Sequence, residues 1–217
     1  MDTKLKRFER FNTSGISDAM DKLGVPCQCF GIRPLSLNFK TLGRAFTVKY
    51  GPVGTVKGTV GDYIDDVESG QVVVIDNEGR LDATVWGDIL TTFSSMRGIA
   101  GTVINGVNRD TDRSLELNYP IFGLSNYMRT GKDRVQVEGI NVPVTLGGIR
   151  VVEGDIILGD ADGVVVIPQE LEDKVFEIAT EIEDAEDRIR AEIDKGYSLR
   201  EARERNGYHK LQTKTGY

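Results

Sequence analysis

The sequence predicts an α/β or α+β sandwich ending in a helical C-terminal arm, and three observations predict it. From about residue 43 to 167, short β-branched runs are punctuated by glycine. Two stretches of helical texture interrupt them. After Gln169 the chain becomes dense in Glu, Asp and Arg around a single apolar stripe. Strands and helices in one chain bury their apolar faces by stacking in layers. A length of 217 residues suits one large domain with an extension. The expected division is a site-bearing core over 1–168 and a helical arm with its tail over 169–217, packed on the core or on a neighbouring subunit.

The elements follow in order. "NTSGISDAMDKLGVP" reads as a helix capped by Thr13 or Ser14, with Ile16, Ala19, Met20 and Leu23 on one face and Gly24 and Pro26 as its stop. "RAFTVKY", "QVVVID", "GTVINGV", "INVPVTLGGIRV", "DIILGD" and "GVVVIP" read as strands. Several are continuous apolar runs, the pattern of strands covered on both faces. "VGDYIDDV" is a short helical candidate. "WGDILTTFSSMRG" is a longer one, with Ile89, Leu90, Phe93 and Met96 or Arg97 at helical spacing and Gly98 as its end. "GDADG" contains part of a calcium loop, but the flanking strand runs make it a hairpin turn. Leu171, Val175, Ile178, Ile182, Ala185 and Ile189 form the stripe of a long amphipathic helix, and Ser198 caps a second helical piece.

Charge and composition exclude several functions. A formal net charge of −7 argues against nucleic acid as the main partner, because phosphate binding needs clustered Lys and Arg. No apolar run approaches membrane-spanning length and the start lacks a signal-peptide core, so a cytoplasmic protein is expected. Cys27 and Cys29, one residue apart, make a poor disulfide and too small a zinc set, so they read as reduced thiols. His209, the only histidine, stands in the tail and is a poor candidate for a triad. No Walker or GxGxxG loop occurs.

Two segments remain as candidate chemistry. In "WGDIL", Gly87 and Asp88 precede a helix whose first amides lack intrahelical partners and attract anions. The alternative is that Asp88 only caps the helix. In "INGVNRD", an apolar strand ends on Asn108, Arg109 and Asp110. The short "RGIAG" link makes helix and strand neighbours, so the strand's carboxyl end can approach the helix mouth. Arg109 there suits a small carboxylate, and Asp110 with Asp88 suits Mg²⁺ or Mn²⁺. A solvated Arg–Asp turn is the alternative, and spacing alone does not separate the two. Asn108 adds a polar contact or serves the turn. Lys49, in an apolar strand, is the one lysine placed for Schiff-base chemistry.

"GRAFTV", "WGDIL", "RGIAGTVINGVNRD" and "INVPVTLGGIRVVEGDIILGDADGVVVIP" occur in the order seen in one family. From about residue 10 to 192 the chain resembles the RraA-like group, which includes 4-hydroxy-4-methyl-2-oxoglutarate aldolases and related oxaloacetate decarboxylases. The resemblance implies a layered α/β sandwich similar to the phosphohistidine swivelling domain, assembled as trimers or hexamers with sites between subunits. It implies a pyruvate-forming, divalent-metal-dependent lyase. Asp110 would bind the metal directly and Asp88 through water. Arg109 would bind the keto acid, and the amides of Ile89 and Leu90 beside Gly87 would receive its carboxylate. Glu186, or Glu183, of a neighbouring subunit would approach the metal. The group's namesake inhibits a ribonuclease, so a regulatory binding protein is the rival implication. "LSNYMRTGKDR" departs from the family pattern and leaves the acceptor half of the substrate open.

Overall fold

The computed structural model describes residues 2–208. The chain begins with α1 (Thr3–Lys6), a 3-10 turn over Arg7–Arg10 and α2 (Thr13–Leu23), followed by strands β1 (Arg33–Pro34) and β2 (Thr41–Pro52). A 3-10 turn at Asp62–Asp66 leads to β3 (Val72–Arg80), α3 (Asp88–Arg97), β4 (Gly101–Asn108), α4 (Thr111–Glu116) and β5 (Ile121–Asn126). Then come β6 (Val135–Ile140), β7 (Val144–Leu146), β8 (Ile149–Val151), β9 (Ile156–Asp160) and β10 (Gly163–Ile167). The 3-10 turn Gln169–Leu171, α5 (Glu172–Asp194) and α6 (Leu199–Arg205) complete it. Among the described residues no helix is long and apolar enough to cross a membrane.

The main sheet runs β1-β5-β4-β3-β2-β9-β10, with β6 also paired to β2. Strands β2 to β5 are parallel to one another, and α3 and α4 supply the crossovers between β3, β4 and β5. β2 is long enough to hold two antiparallel partners on one edge. Thr41–Arg44 pairs with β9, and Val48–Pro52 pairs with β6.

The continuous apolar runs are buried on both faces, as their pattern requires. One face packs Val48, Val73, Ile75 and Ile104 with Tyr63, Trp86 and Tyr119. The other packs Ala45, Val72, Val74 and Val103 under the β7–β8 hairpin. A third apolar layer joins α2 and α5 to β9 and β10 through Ile16, Met20, Ile156, Val175 and Ile182. Full burial of each such aliphatic side chain stabilises by about 2 kcal/mol. A sheet with a parallel centre and antiparallel edges, flanking helices and a C-terminal helix make this the mixed α/β architecture the sequence predicted.

Several local expectations change. Asn12, not Thr13 or Ser14, caps α2, accepting from the Gly15 amide at 2.7 Å. Thr13 is occupied elsewhere: its amide and hydroxyl donate to Asp160 at 2.8 and 2.7 Å. "INVPVTLGGIRV" is no single run, because Gly147 and Gly148, both at positive φ, turn it into the β7–β8 hairpin. α3 buries Thr91 and Ser94, whereas Ile89 and Met96 are 79% and 83% exposed. On α5, Glu172 is buried alongside Val175, Ala179, Ile182, Ala185 and Ile189. "VGDYIDDV" forms only a 3-10 turn. Ser198 does cap α6, in a reciprocal capping box with Glu201. "GDADG" is the β9–β10 turn, as read. Cys27 and Cys29 are free and buried, and burial pushes the Cys27 thiol up to about 12. His209 lies outside the described residues.

Candidate functional site

The site forms where β4 ends. Arg109's amide donates to Trp86 O at 2.9 Å, and Val85's amide donates to Val107 O at 3.4 Å. The buried Thr84 hydroxyl lies 2.9 Å from Trp86 O and 3.1 Å from Val107 O. These contacts lay segment 84–87 across the strand's carboxyl end. Trp86 Nε1 donates to Thr91 Oγ1 at 2.9 Å, and that hydroxyl donates to Gly87 O at 2.9 Å. The indole, stacked on Tyr119 at 6.2 Å, therefore fixes the start of α3 against β4. Burial pushes the Tyr119 phenol far up, so the stack is held by neutral rings.

Gly87 is the N-cap of α3 and provides no side-chain cap. A Cβ there would lie 2.8 Å from Asp110 Oδ2 and 3.2 Å from Arg109 Nε. The missing side chain is what lets the two segments touch. Asp88 does not cap the helix. Its amide is capped instead from the next strand, by Asp110 Oδ2 at 3.2 Å, while its own side chain is exposed. The amides of Ile89 and Leu90 follow in the first turn and have no intrahelical carbonyl to bond.

Asp110 has φ 56° and ψ 44°, a left-handed conformation that Asp tolerates better than most residues but still at a cost of about 1–2 kcal/mol. That turn starts α4 and brings the carboxylate back to the mouth of α3. Asp110 Oδ2 also meets Arg109 Nε at 3.2 Å, with both side chains more than a third exposed. Among the described residues, Asp110 Oδ1 and the terminal nitrogens of Arg109 have no hydrogen-bond partner. An exposed pair of this kind contributes little stability. It leaves acceptor and donor positions open at a positive helix end.

Beside Arg109 is a cavity of about 240 Å³. Thr130 and Gly131, from the loop "LSNYMRTGKDR" read as bearing on the acceptor half, line it, and Val60, Gly61, Val85 and Trp86 contribute walls that sequence reasoning missed. For those four, the available signal was the chain's single tryptophan next to Gly87. The structure thus brings Gly87, Asp88, Ile89, Leu90, Arg109 and Asp110 together. It does not bring in Asn108, whose side chain is fully buried and lines no part of the cavity. Lys49 is exposed in a separate groove with Glu78 and Glu138. Glu186 pairs with Arg190 at 3.2 Å and Glu183 with Arg10 at 2.7 Å, on the helix that packs against α2. Among the described residues no three His, Cys, Asp or Glu side chains of one chain are grouped to hold a metal.

Comparison with known proteins gives a consistent result. Residues 13–166 match the sequence model of the RraA-like group, described as Aldolase/RraA. Protein DlpA of Legionella pneumophila is 38% identical over 207 residues, covering 94% of this chain and 34% of DlpA. The chain therefore spans about a third of that relative. A Halalkalibacterium halodurans protein with a provisional 4-hydroxy-4-methyl-2-oxoglutarate aldolase name is 34% identical over 197 residues, covering 90% of this chain and 91% of its own. The crystal structure of an uncharacterized Pseudomonas syringae pv. tomato protein superposes with a TM-score of 0.87 at 40% identity, covering 94% of this chain and 98% of that one.

Proposed function

The chain belongs to the RraA-like family, and on that premise we propose that it is a divalent-metal-dependent carbon–carbon lyase. It cleaves a 4-hydroxy-2-oxo acid to pyruvate and a carbonyl compound, and it also releases CO₂ from oxaloacetate. The observation that carries the reading is the contact of Gly87 with Arg109 and Asp110 at the mouth of α3. Amides, guanidinium and carboxylates there match the needs of a small 2-oxo acid.

The amides of Ile89 and Leu90 receive the substrate carboxylate, aided by the helix dipole. Arg109 turns its unpartnered terminal nitrogens to the same group and sets a fixed positive charge beside the 2-oxo oxygen. Asp110, with Oδ1 open, and Asp88, through water, are the hard oxygen donors that suit Mg²⁺ or Mn²⁺. One chain supplies too few such donors for a complete shell, so water and Glu186 of a neighbouring copy complete it in a homotrimer or homohexamer. Exposed Ile89 at the mouth supports a covered interface there. When bound, the ion supplies Lewis acidity where the enolate charge develops.

The test is pyruvate release coupled to lactate dehydrogenase. With Mg²⁺ or Mn²⁺ present, oxaloacetate or a 4-hydroxy-2-oxo acid yields pyruvate, and EDTA or Asp110→Ala abolishes it. Full turnover without metal overturns the metal assignment. If no oxo acid reacts, the rival regulatory protein stands, with the acidic face of α5 as its binding surface.

A further inference from the structure

The cavity beside Arg109 is chemically lopsided. One end carries Arg109 and the first amides of α3, the groups assigned above to the 2-oxo carboxylate. The rest of the lining is mostly apolar: Val60, Val85, Trp86 and Leu90 with Gly61 and Gly131, and Thr130 as a neutral polar residue. The Thr84 hydroxyl also lines it but is within bonding distance of two backbone carbonyls, Trp86 O and Val107 O. Apart from Arg109, the one charged lining residue is Asp88, an anion.

Three neighbouring cations are directed elsewhere, and a fourth, Lys132, is exposed beside Gly131 but is not one of the lining residues. Arg129 faces Asp82 at 3.8 Å, and Lys57 pairs with Asp133. Arg134 donates to the carbonyls of Thr130 and Lys132, each at 3.2 Å. None of the three lines the cavity. A second carboxylate on the substrate, beyond the reach of Arg109 and of the ion assigned to Asp110 and Asp88, would meet walls that carry no further cation among the described residues to offset its desolvation.

We propose that the acceptor half of the substrate is a short apolar group. The preferred substrates are then monocarboxylic 4-hydroxy-2-oxo acids with a small alkyl substituent on C4, in preference to dicarboxylates such as oxaloacetate. This rests on the lyase reading above. The cavity, at about 240 Å³, lies below the usual ligand-site range of roughly 300–1,000 Å³, which limits the substituent to a few carbons. In the cleavage the O4–H proton leaves, the C4–O bond becomes a carbonyl, and the C3–C4 bond breaks. Its electron pair stays on the pyruvate half as the enolate, and C3 then takes up a proton. The products are pyruvate and an alkyl aldehyde, with no oxidant or reductant involved.

Trp86 is the chain's only tryptophan and a wall of the cavity, so its fluorescence reports occupancy without turnover. The full chain with Mn²⁺ is titrated with 2-oxopentanoate and with 2-oxoglutarate, which differ in the terminal carboxylate. The alkyl acid is expected to bind at least about tenfold tighter, the scale of one group's fit in an apolar pocket. Val60→Lys, which places a cation in the wall, is expected to reverse that ratio. Equal or tighter binding of 2-oxoglutarate overturns the proposal, as does a ratio that Val60→Lys leaves unchanged or an absence of binding by either acid. Failure of pyruvate release with the binding preference intact overturns the lyase reading instead.

Discussion

Arg44 and Arg109 each meet an Asp carboxylate through Nε, and their surroundings differ at the terminal nitrogens. Arg44 Nε donates to Asp2 at 2.7 Å, Nη1 to Gly154 O at 3.0 Å and to Glu172, and Nη2 to Glu172 at 3.3 Å. Glu172 is 3% exposed, and its hydrogen bond holds the Arg44 guanidinium above its ordinary pKa. Arg109 has one ion-pair contact, to Asp110, and its terminal nitrogens donate to no described residue. The first pair is closed and ties the N-terminal segment, β2, the turn before β9 and α5 together. The second is open, held in place by backbone contacts while its charges face solvent. The same two side-chain types thus serve as a fastener in one place and as a receptor in the other, according to how many of their bonds the fold uses up.

Substitutions test that contrast. Arg109→Ala is expected to lower kcat/KM for pyruvate release about 100- to 1,000-fold, the usual loss for one charge-stabilising donor. Its melting temperature should stay with that of the parent, and a large drop in melting would count Arg109 as a fastener after all. Glu172→Ala should do the opposite. It leaves Arg44 without its buried partner and costs about 3 kcal/mol, or roughly 6–12 °C in melting for a chain of this size, with the site chemistry intact. Gly87→Ala is a milder probe. Its backbone is extended, so alanine is unstrained, but the new Cβ presses on Asp110 at 2.8 Å. About a tenfold loss of kcat/KM with unchanged stability is expected.

The smallest effect concerns acid. The Arg44 hydrogen bond at Asp2 lowers its carboxyl below the ordinary 3.8. A lowered folded pKa means stability that is present above 3.8 and lost as pH falls through the folded value. Asp2→Asn should therefore flatten the acid limb of a melting-versus-pH curve slightly and leave neutral pH nearly unchanged. An acid limb identical to the parent's would remove Asp2 from the closed cluster.

Much of this was legible in the chain because it depends on local pattern. Continuous Val and Ile runs marked β3, β9 and β10, and the 3.6-residue stripe marked α5. Gly98, at φ 69°, ends α3 where it was read to. What escaped depends on distant partners. Glu172 looks solvated until Arg44 arrives from 128 positions away, and Thr13 looks like a cap until Asp160 takes its hydroxyl from 147 away. β5 was hidden because its buried apolar part is only Ile121–Gly123 and the strand then continues through exposed Ser125 and Asn126. α4, six residues without an apolar stripe, exists because Asp110 turns the chain into it. At the site, the approach of "WGDIL" to "NRD" was readable from a short connection. That Asp110 caps α3 was not, since it needs the left-handed turn.

That turn has a genetic side. With φ at 56°, position 110 favours Asp, Asn or Gly over every other residue. Aspartate and asparagine codons differ by one base, so the mutation that best preserves the fold also removes the charge. Asp110→Asn should fold as the parent does and lose the lyase reaction, keeping every outer surface. A lineage with this geometry sits a single nucleotide from an intact, inert scaffold that is free to be selected for binding alone.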